Sequence, residues 1–312
     1  MDTPSTAVIG IGSIGSVLAA ALLSTHPQTT LVVSRESSRR RLLDRGLEVS
    51  GVLSYRVPAR NVVTSIRDLG PVKPDVVFLC TKTFNLGQIL DQLGEVFHPG
   101  MKIVSTQNGL GTEDLIADRF GTDAAMRMSM NYGASLTAAG TTETTFFNPP
   151  NPLGVFDEGN RAVGARIAAM LTESGLDTQL VDDIRLQVWK KMVMKCTMAS
   201  ICAVTDRTIQ GALDFPPTRE IAETCFEEIL AVAKAMGYDL GDDYLTQAMA
   251  YLEKVGVHKD SMCYDIAAKR PTEIDFLGGK VVEYAREKGV PVPFYTVMTN
   301  LVRALEDGYL QG

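Results

Sequence analysis

Lys191 and Lys195 stand four residues apart in the run Trp189-Lys190-Lys191-Met192-Val193-Met194-Lys195-Cys196. The stretch from Ile184 through Cys196 reads as one long helix, so the two ammonium groups share a face. Stacked cations disfavour each other's charge, which can tune a lysine toward neutral pH as a general acid requires. The other reading is a solvated basic edge. Glu273 lies in Arg270-Pro271-Thr272-Glu273-Ile274-Asp275, where Thr272-x-x-Asp275 after a proline resembles a capping box. That spacing puts Glu273 in the first turn of a helix running to about Glu287. The helix dipole there favours an ionised carboxylate, suited to orienting and accepting hydrogen bonds and poor at giving a proton. Asn108, in Gln107-Asn108-Gly109-Leu110-Gly111, is either a turn residue or, at the carboxyl end of a strand, a ligand contact.

A second set of residues suits phosphate. A short apolar strand at residues 7–9 runs into Gly10-Ile11-Gly12-Ser13-Ile14-Gly15 and then an Ala/Leu-rich helix. In a dinucleotide fold Gly10 allows the tight turn, Gly12 admits the pyrophosphate and Gly15 lets helix and strand pack closely. The helix N-terminus supplies open N–H groups and the positive dipole end. The next strand, residues 29–34, ends in Ser34-Arg35-Glu36, with Arg39 and Arg40 one turn on. An acid at this tip holds a ribose 2′-hydroxyl, whereas arginine accommodates a 2′-phosphate. Glu36 fits the first case and Arg35 the second. Three arginines near one tip favour NADPH over NADH.

The elements that must position these groups follow from periodicity. Residues 75–80 form a continuous apolar run, as expected of a central parallel strand, and end at Thr81-Lys82. Residues 86–96 read as a helix and 102–105 as the next strand. Residues 46–57 look like a hairpin insertion and 62–64 a short strand. Residues 125–155 look like antiparallel strands completing the sheet, 162–174 a helix and 178–181 a last short strand. Beyond Asp183 only helical periodicity remains. The fold class expected is α/β, with an N-terminal Rossmann-type domain at 1–182 and an all-α domain at 183–312.

Composition narrows the function. The chain has 312 residues, 45% of them hydrophobic, and a net charge of −7. That charge argues against nucleic acid and anionic membranes as partners. No apolar run reaches the ~18 residues that span a bilayer. The apolar run at 17–23 fits the helix after the glycine turn better than a signal peptide, because Asp2 is acidic and no Lys or Arg precedes it. Five cysteines without a CxxC pair read as reduced thiols of a cytoplasmic protein. Three scattered histidines make no metal site.

Taken in order, these motifs resemble the ketopantoate reductase (2-dehydropantoate 2-reductase) family over nearly the whole chain. The likeness rests on Gly10-x-Gly12-x-x-Gly15, Arg35, Thr81-Lys82 and Asn108-Gly109-Leu110-Gly111. It continues in Trp189-x-Lys191, Ser261-Met262-x-x-Asp265, Arg270-x-Thr272-Glu273-Ile274-Asp275 and Gly289-Val290-Pro291-Val292-Pro293. The resemblance implies NADPH-dependent reduction of a 2-oxo acid to a 2-hydroxy acid, 2-dehydropantoate to pantoate being the family reaction in pantothenate biosynthesis. It implies Lys191 as catalytic lysine and Glu273 as its partner carboxylate. Asn108, Lys195 and Ser261 fall at substrate-binding positions, with Ser261 on the substrate carboxylate. Gly10, Gly12, Ser13, Ile14, Gly15, Arg35, Lys82 and Asn108 fall at cofactor positions. A homodimer through the helical domain is part of the same expectation. Two positions depart, since Lys195 and Ala199 stand where the family carries pocket asparagines. Lys195 then needs a counter-charge: Asp206, Asp265 or a second carboxylate on the substrate, unless it snorkels to solvent. Because Lys195 only donates and Ala199 offers nothing polar, where two amides would both donate and accept, 2-dehydropantoate is expected to be a poor substrate. Opine-type reductive amination and a non-catalytic NADPH sensor are the competing functions.

Overall fold

The apolar run Thr6–Ile9 forms β1, buried along its whole length. In this computed structural model, which describes residues 4–138, 140–255 and 257–311, the chain divides into two units. The first comprises the chain to Gln107 together with Thr112–Ile184; the second comprises Asn108–Gly111 and the chain from Arg185 on.

In the first unit β1 leads to α1 (Ser13–Thr25), β2 (Thr30–Val32), α2 (Glu36–Arg45), β3 (Leu47–Gly51), β4 (Tyr55–Val57) and β5 (Asn61–Val63). Then come β6 (Val76–Leu79), α3 (Leu86–Gly94), β7 (Lys102–Ser105), α4 (Thr112–Phe120) and β8 (Ala125–Met128). The unit closes with β9 (Tyr132–Ala138), β10 (Thr141–Phe147), β11 (Asn151–Val155), α5 (Arg161–Glu173) and β12 (Thr178–Leu180). The main sheet has eight strands in the order β12-β11-β8-β7-β6-β1-β2-β5. Its neighbours run parallel except β11 against β8. Strands β6, β7 and β8 are buried on both faces, as parallel strands covered by helices must be.

Residues 125–155 only partly complete that sheet. Strands β8 and β11 join it, but β9 and β10 join the hairpin β3–β4 in a separate sheet of four strands, ordered β4-β3-β10-β9. The cause is the alternation within these strands. Leu47 and Val49 on β3, with Thr142 and Thr144 on β10, turn one face inward while their neighbours face out. That inner face covers α1 on the side away from the main sheet. Covered twice, α1 is buried from Gly15 through Leu23, which is why its sequence is apolar all round and not amphipathic.

The second unit holds α6 (Ile184–Thr205, all but its first residue), α7 (Ile209–Leu213), α8 (Pro216–Ala235), α9 (Tyr244–Val255), α10 (Ser261–Ala267), α11 (Gly278–Lys288) and α12 (Pro293–Leu310). Among its described residues there is no strand. Helices α8, α11 and α12 pack together. The first turn of α12 lacks a side-chain cap of its own. Glu228 of α8 supplies one, its two oxygens accepting from the backbone N–H groups of Phe294 at 3.0 Å and Tyr295 at 2.8 Å.

One helix differs from expectation. Glu273 does not open a continuous helix to residue 287. It precedes a short 3₁₀ turn, Ile274–Phe276, and Leu277 at φ −104° and ψ −102° separates that turn from α11. Thr272 still caps the short turn, its hydroxyl oxygen accepting from Ile274 N–H at 3.3 Å, but α12 engages both members of the expected box. Glu306 accepts from the Thr272 backbone N–H at 3.1 Å and from its hydroxyl. Arg303 holds Asp275 at 2.6 Å, so Asp275 does not reach back to Thr272.

Candidate functional site

In the first unit the glycine turn sits on the end of β6. Gly10 has φ +94°, and a Cβ there would lie 2.6 Å from Thr81 Cγ2 and 2.8 Å from the Thr81 amide nitrogen. A Cβ on Gly15 would lie 1.9 Å from the Gly10 carbonyl oxygen. Both glycines are therefore demanded by packing. Gly12 is different: it precedes α1 in extended conformation, and a Cβ there would meet nothing within 4 Å. Space is thus open at Gly12, beside the start of α1, where the first backbone N–H groups of a helix lack intrahelical partners. Ser13 and Ile14 form that turn, and the Ile14 carbonyl accepts from Tyr132 Oη at 2.9 Å. A pyrophosphate fits this cradle by the chemistry of its donors.

Arg35 is exposed and precedes the first turn of α2. Glu36 accepts from Arg39 at 3.2 Å and from Arg40 at 3.2 Å. Arg39 also donates to the Val62 carbonyl at 2.9 Å. Among the described residues no hydrogen bond holds the Arg35 guanidinium. Lys82 is half-buried at the carboxyl end of β6. Buried Gln107 fixes that end, donating from Nε2 to the Thr81 carbonyl at 3.0 Å and to Thr81 Oγ1 at 3.2 Å. Behind Gln107 lies a polar network deep in the unit. Ser105 Oγ bonds Gln107 at 3.3 Å and accepts from Arg127 at 2.7 Å. Arg127 and Glu113 are 1% and 3% exposed and form an ion pair at 3.7 Å.

In the second unit α6 carries Lys191 and Lys195, both half-buried. Trp189 anchors this part of the helix, buried with its ring 5.9 Å from that of Tyr238 and 6.1 Å from that of Tyr284. Tyr244 adds a hydrogen bond to the Lys190 carbonyl, and burial pushes its phenol up to about 12. Asn108 belongs to this unit, and the backbone explains how. Leu110 N–H donates to the Phe276 carbonyl at 2.9 Å. Gly109, at φ +128°, lies so close to Phe276 that a Cβ would stand 2.8 Å from that carbonyl oxygen. The Asn108 loop is thus docked on the turn that Glu273 opens. Glu273 is 8% exposed, and its carbonyl accepts from Phe276 N–H at 3.0 Å and Leu277 N–H at 3.1 Å.

Lys195 finds a counter-charge within the protein, and it is neither of the acids expected. Its Nζ lies 2.5 Å from Asp260 Oδ2 and donates to Ser261 Oγ at 2.8 Å. Asp206 is engaged by Lys259, and Asp265 by Arg270 at 3.0 Å. Ala199 is fully buried and offers no polar atom.

Two family models match the chain: Ketopantoate reductase PanE/ApbA over residues 6–155, and Ketopantoate reductase PanE/ApbA C terminal over residues 183–306. The chain belongs to the ketopantoate reductase family. A curated relative, the 2-dehydropantoate 2-reductase of Halobacterium salinarum, is 27% identical over 311 residues, covering 96% of this chain and 99% of the relative. Among solved structures, a PanE/ApbA family ketopantoate reductase from Ralstonia eutropha JMP134 superposes with a TM-score of 0.88 at 20% identity, covering 98% of this chain and 99% of the other. A D-mandelate dehydrogenase bound to NADH and anilino(oxo)acetate gives 0.87 at 22% identity, with coverages of 98% and 99%. At such identities the likeness establishes the fold, and the family models establish the kinship. The protein is accordingly an oxidoreductase of a nicotinamide-dependent family.

Within this ketopantoate reductase frame, three groups carry roles that their local sequence does not announce. Asp260 could have been recognised as a helix cap before Ser261-Met262, since Oδ1 accepts from Met262 N–H at 2.9 Å. Nothing local announced its bond to Lys195, 65 positions away. Gln107 and Arg127 carried no sequence signal beyond being polar residues in apolar strand surroundings. The five cysteines are unpaired, and no group of metal-ligating side chains occurs among the described residues. Among those residues no helix is long and apolar enough to cross a membrane.

Proposed function

We propose that the protein is an NADPH-dependent reductase of a 2-oxo acid, giving the 2-hydroxy acid. The observation that carries this reading is the docking of the Asn108 loop on the Glu273 turn by Leu110 and Phe276. It gives a member of this family a rigid amide and a buried carboxylate in one unit with Lys191. A reduced nicotinamide supplies the hydride when bound. Lys191 gives its proton to the oxygen that becomes the hydroxyl and stabilises the charge developing there. Glu273 orients that lysine and accepts from the new hydroxyl. Asn108 positions substrate and cofactor with an amide that both donates and accepts, and Ser261 donates to the substrate carboxylate. Gly10, Gly12, Ser13, Ile14 and Gly15 cradle the pyrophosphate, and Lys82 adds a cation beside it. Arg35 is the candidate for the 2′-phosphate, because Glu36 is already engaged by Arg39 and Arg40. The loss of two amides that both donate and accept, at Lys195 and Ala199, and not the charge of Lys195, counts against 2-dehydropantoate as the best substrate. Self-association through the helical unit belongs to the same reading: α12 turns Phe294, Val297, Leu301 and Leu305 outward on one stripe, each more than 40% exposed.

The test is NADPH oxidation by the purified protein across a panel of 2-oxo acids including 2-dehydropantoate, with and without added amino acids. Lys191→Ala should lower kcat by about 10² or more while sparing NADPH binding, the usual scale of general acid catalysis. A Lys191→Ala enzyme with near-normal kcat removes the lysine from its role. Consumption of NADPH only when an amine is present replaces direct reduction by reductive amination.

A further inference from the structure

A lysine in a substrate-binding position ordinarily advertises a positive charge, and a second carboxylate on the substrate would answer it. Here the answer is already in the chain. The ammonium of Lys195 has three N–H donors. One is directed to Asp260 Oδ2 at 2.5 Å and one to Ser261 Oγ at 2.8 Å. The pair is shielded, with the Lys195 side chain 15% and the Asp260 side chain 8% exposed. Asp260 is itself held, because its other oxygen caps α10 through Met262 N–H at 2.9 Å. Neither partner is free to swing away.

We infer that Asp260 is a specificity-determining residue: as the built-in counter-ion of Lys195, it restricts the site to 2-oxo monocarboxylates and rejects dicarboxylates. The inference rests on the reading of the protein as a 2-oxo acid reductase. Its physical basis is local charge. With Asp260 in place, Lys195 and its partner sum to zero, and a second substrate carboxylate would meet the like charge of Asp260 as soon as it met Lys195. What remains for substrate is directional and not ionic. Ser261 accepts from Lys195, so its own proton is left to donate, and Ser261 is exposed. The third N–H of Lys195 is a second donor. Two donors on adjacent groups, 2.8 Å apart, suit the single carboxylate of a 2-oxo acid whose carbonyl is served from Lys191, one helical turn away on α6.

The experiment compares kcat/KM for chain-matched pairs, 2-oxobutyrate against oxaloacetate and 2-oxopentanoate against 2-oxoglutarate. The unmutated enzyme should prefer the monocarboxylate of each pair at least tenfold. Asp260→Asn keeps the helix cap, since asparagine caps as well as aspartate, but it frees the Lys195 charge. The dicarboxylate-to-monocarboxylate ratio should then rise about tenfold or more, the scale of one charge-assisted hydrogen bond, and through KM more than kcat. Lys195→Met combined with Asp260→Asn removes both charges and should return the ratio toward that of the unmutated enzyme. Circular dichroism and melting temperature establish that the variants fold. An unmutated enzyme that reduces both classes comparably overturns the inference alone, as does an Asp260→Asn ratio unchanged within threefold. Failure to reduce any 2-oxo acid overturns the functional reading and this inference with it.

Discussion

Gly12→Ala and Gly15→Ala, three residues apart, should fail in opposite ways. Gly12 has φ −87° and ψ −162°, open to any residue, and its new Cβ meets nothing within 4 Å. Alanine caps a helix less well than glycine, at up to about 1 kcal/mol. Stiffening the unfolded chain returns roughly 0.4–1 kcal/mol. The two nearly cancel, so Gly12→Ala should melt within about 2 °C of the unmutated protein. Gly15→Ala puts a Cβ 1.9 Å from the Gly10 carbonyl oxygen and 2.9 Å from Cys80 Cβ, both parts of the packed strand ends. Relief requires moving α1 off the sheet that buries it, and overpacking of this kind costs about 3 kcal/mol or more. Nucleotide affinity should order them differently. A methyl over the first turn of α1 occupies the space assigned to the pyrophosphate, so Gly12→Ala should weaken NADPH binding at least tenfold, or about 1.4 kcal/mol. Thermal melts and fluorescence titration with NADPH measure both quantities. If Gly12→Ala binds NADPH with unchanged Kd, or is destabilised as much as Gly15→Ala, the assignment of the open space above α1 to a phosphate is refuted.

Arg35→Ala should raise the KM for NADPH ten- to a hundredfold over any change for NADH, as losing a charge-assisted contact of about 1.5–3 kcal/mol predicts; equal KM values for the two cofactors in the unmutated enzyme would contradict this. Gly109→Ala and Gly121→Ala both place alanine at positive φ, +128° and +88°, but only Gly109 has a neighbour in the way. Each should lose about 1 kcal/mol or more of stability from backbone strain, while kcat/KM should fall about tenfold in Gly109→Ala alone; equal activity losses would detach the Phe276 contact from function. Burial pushes Cys80 up to about 12, Cys225 to about 12 and Cys263 to about 11. At pH 8 their thiolate fractions are then about one part in a thousand or less, so iodoacetamide should label them slowly until urea is added. Fast labelling of any of the three in the native protein would contradict their placement.

The sequence determined the parts whose information is local. Gly10, Gly12 and Gly15 between a β-branched run and an apolar helix read as a strand, a tight turn and a helix because the whole pattern lies in one contiguous stretch. The buried strand β6 and the long helix α6 were legible for the same reason: burial on both faces leaves a continuous apolar run, and one helix leaves one period. Tertiary structure decided whatever depends on partners distant in the chain. Nothing local in strands β9 and β10 says which sheet they join, and only the face of α1 turned away from the main sheet, which they help to cover, makes them part of a second one. Thr272 and Asp275 carried a capping signal around Glu273, yet Thr272 caps only a short turn, Glu306 and Arg303 on α12 engage the pair, and the helix is interrupted at Leu277. Lys195 advertised a missing counter-charge, and periodicity could not show that Asp260 would supply it. Hydrogen bonds and ion pairs act over about 3 Å of space without regard to separation along the chain, so a residue's type limits which partners it can take, while the fold alone selects among them.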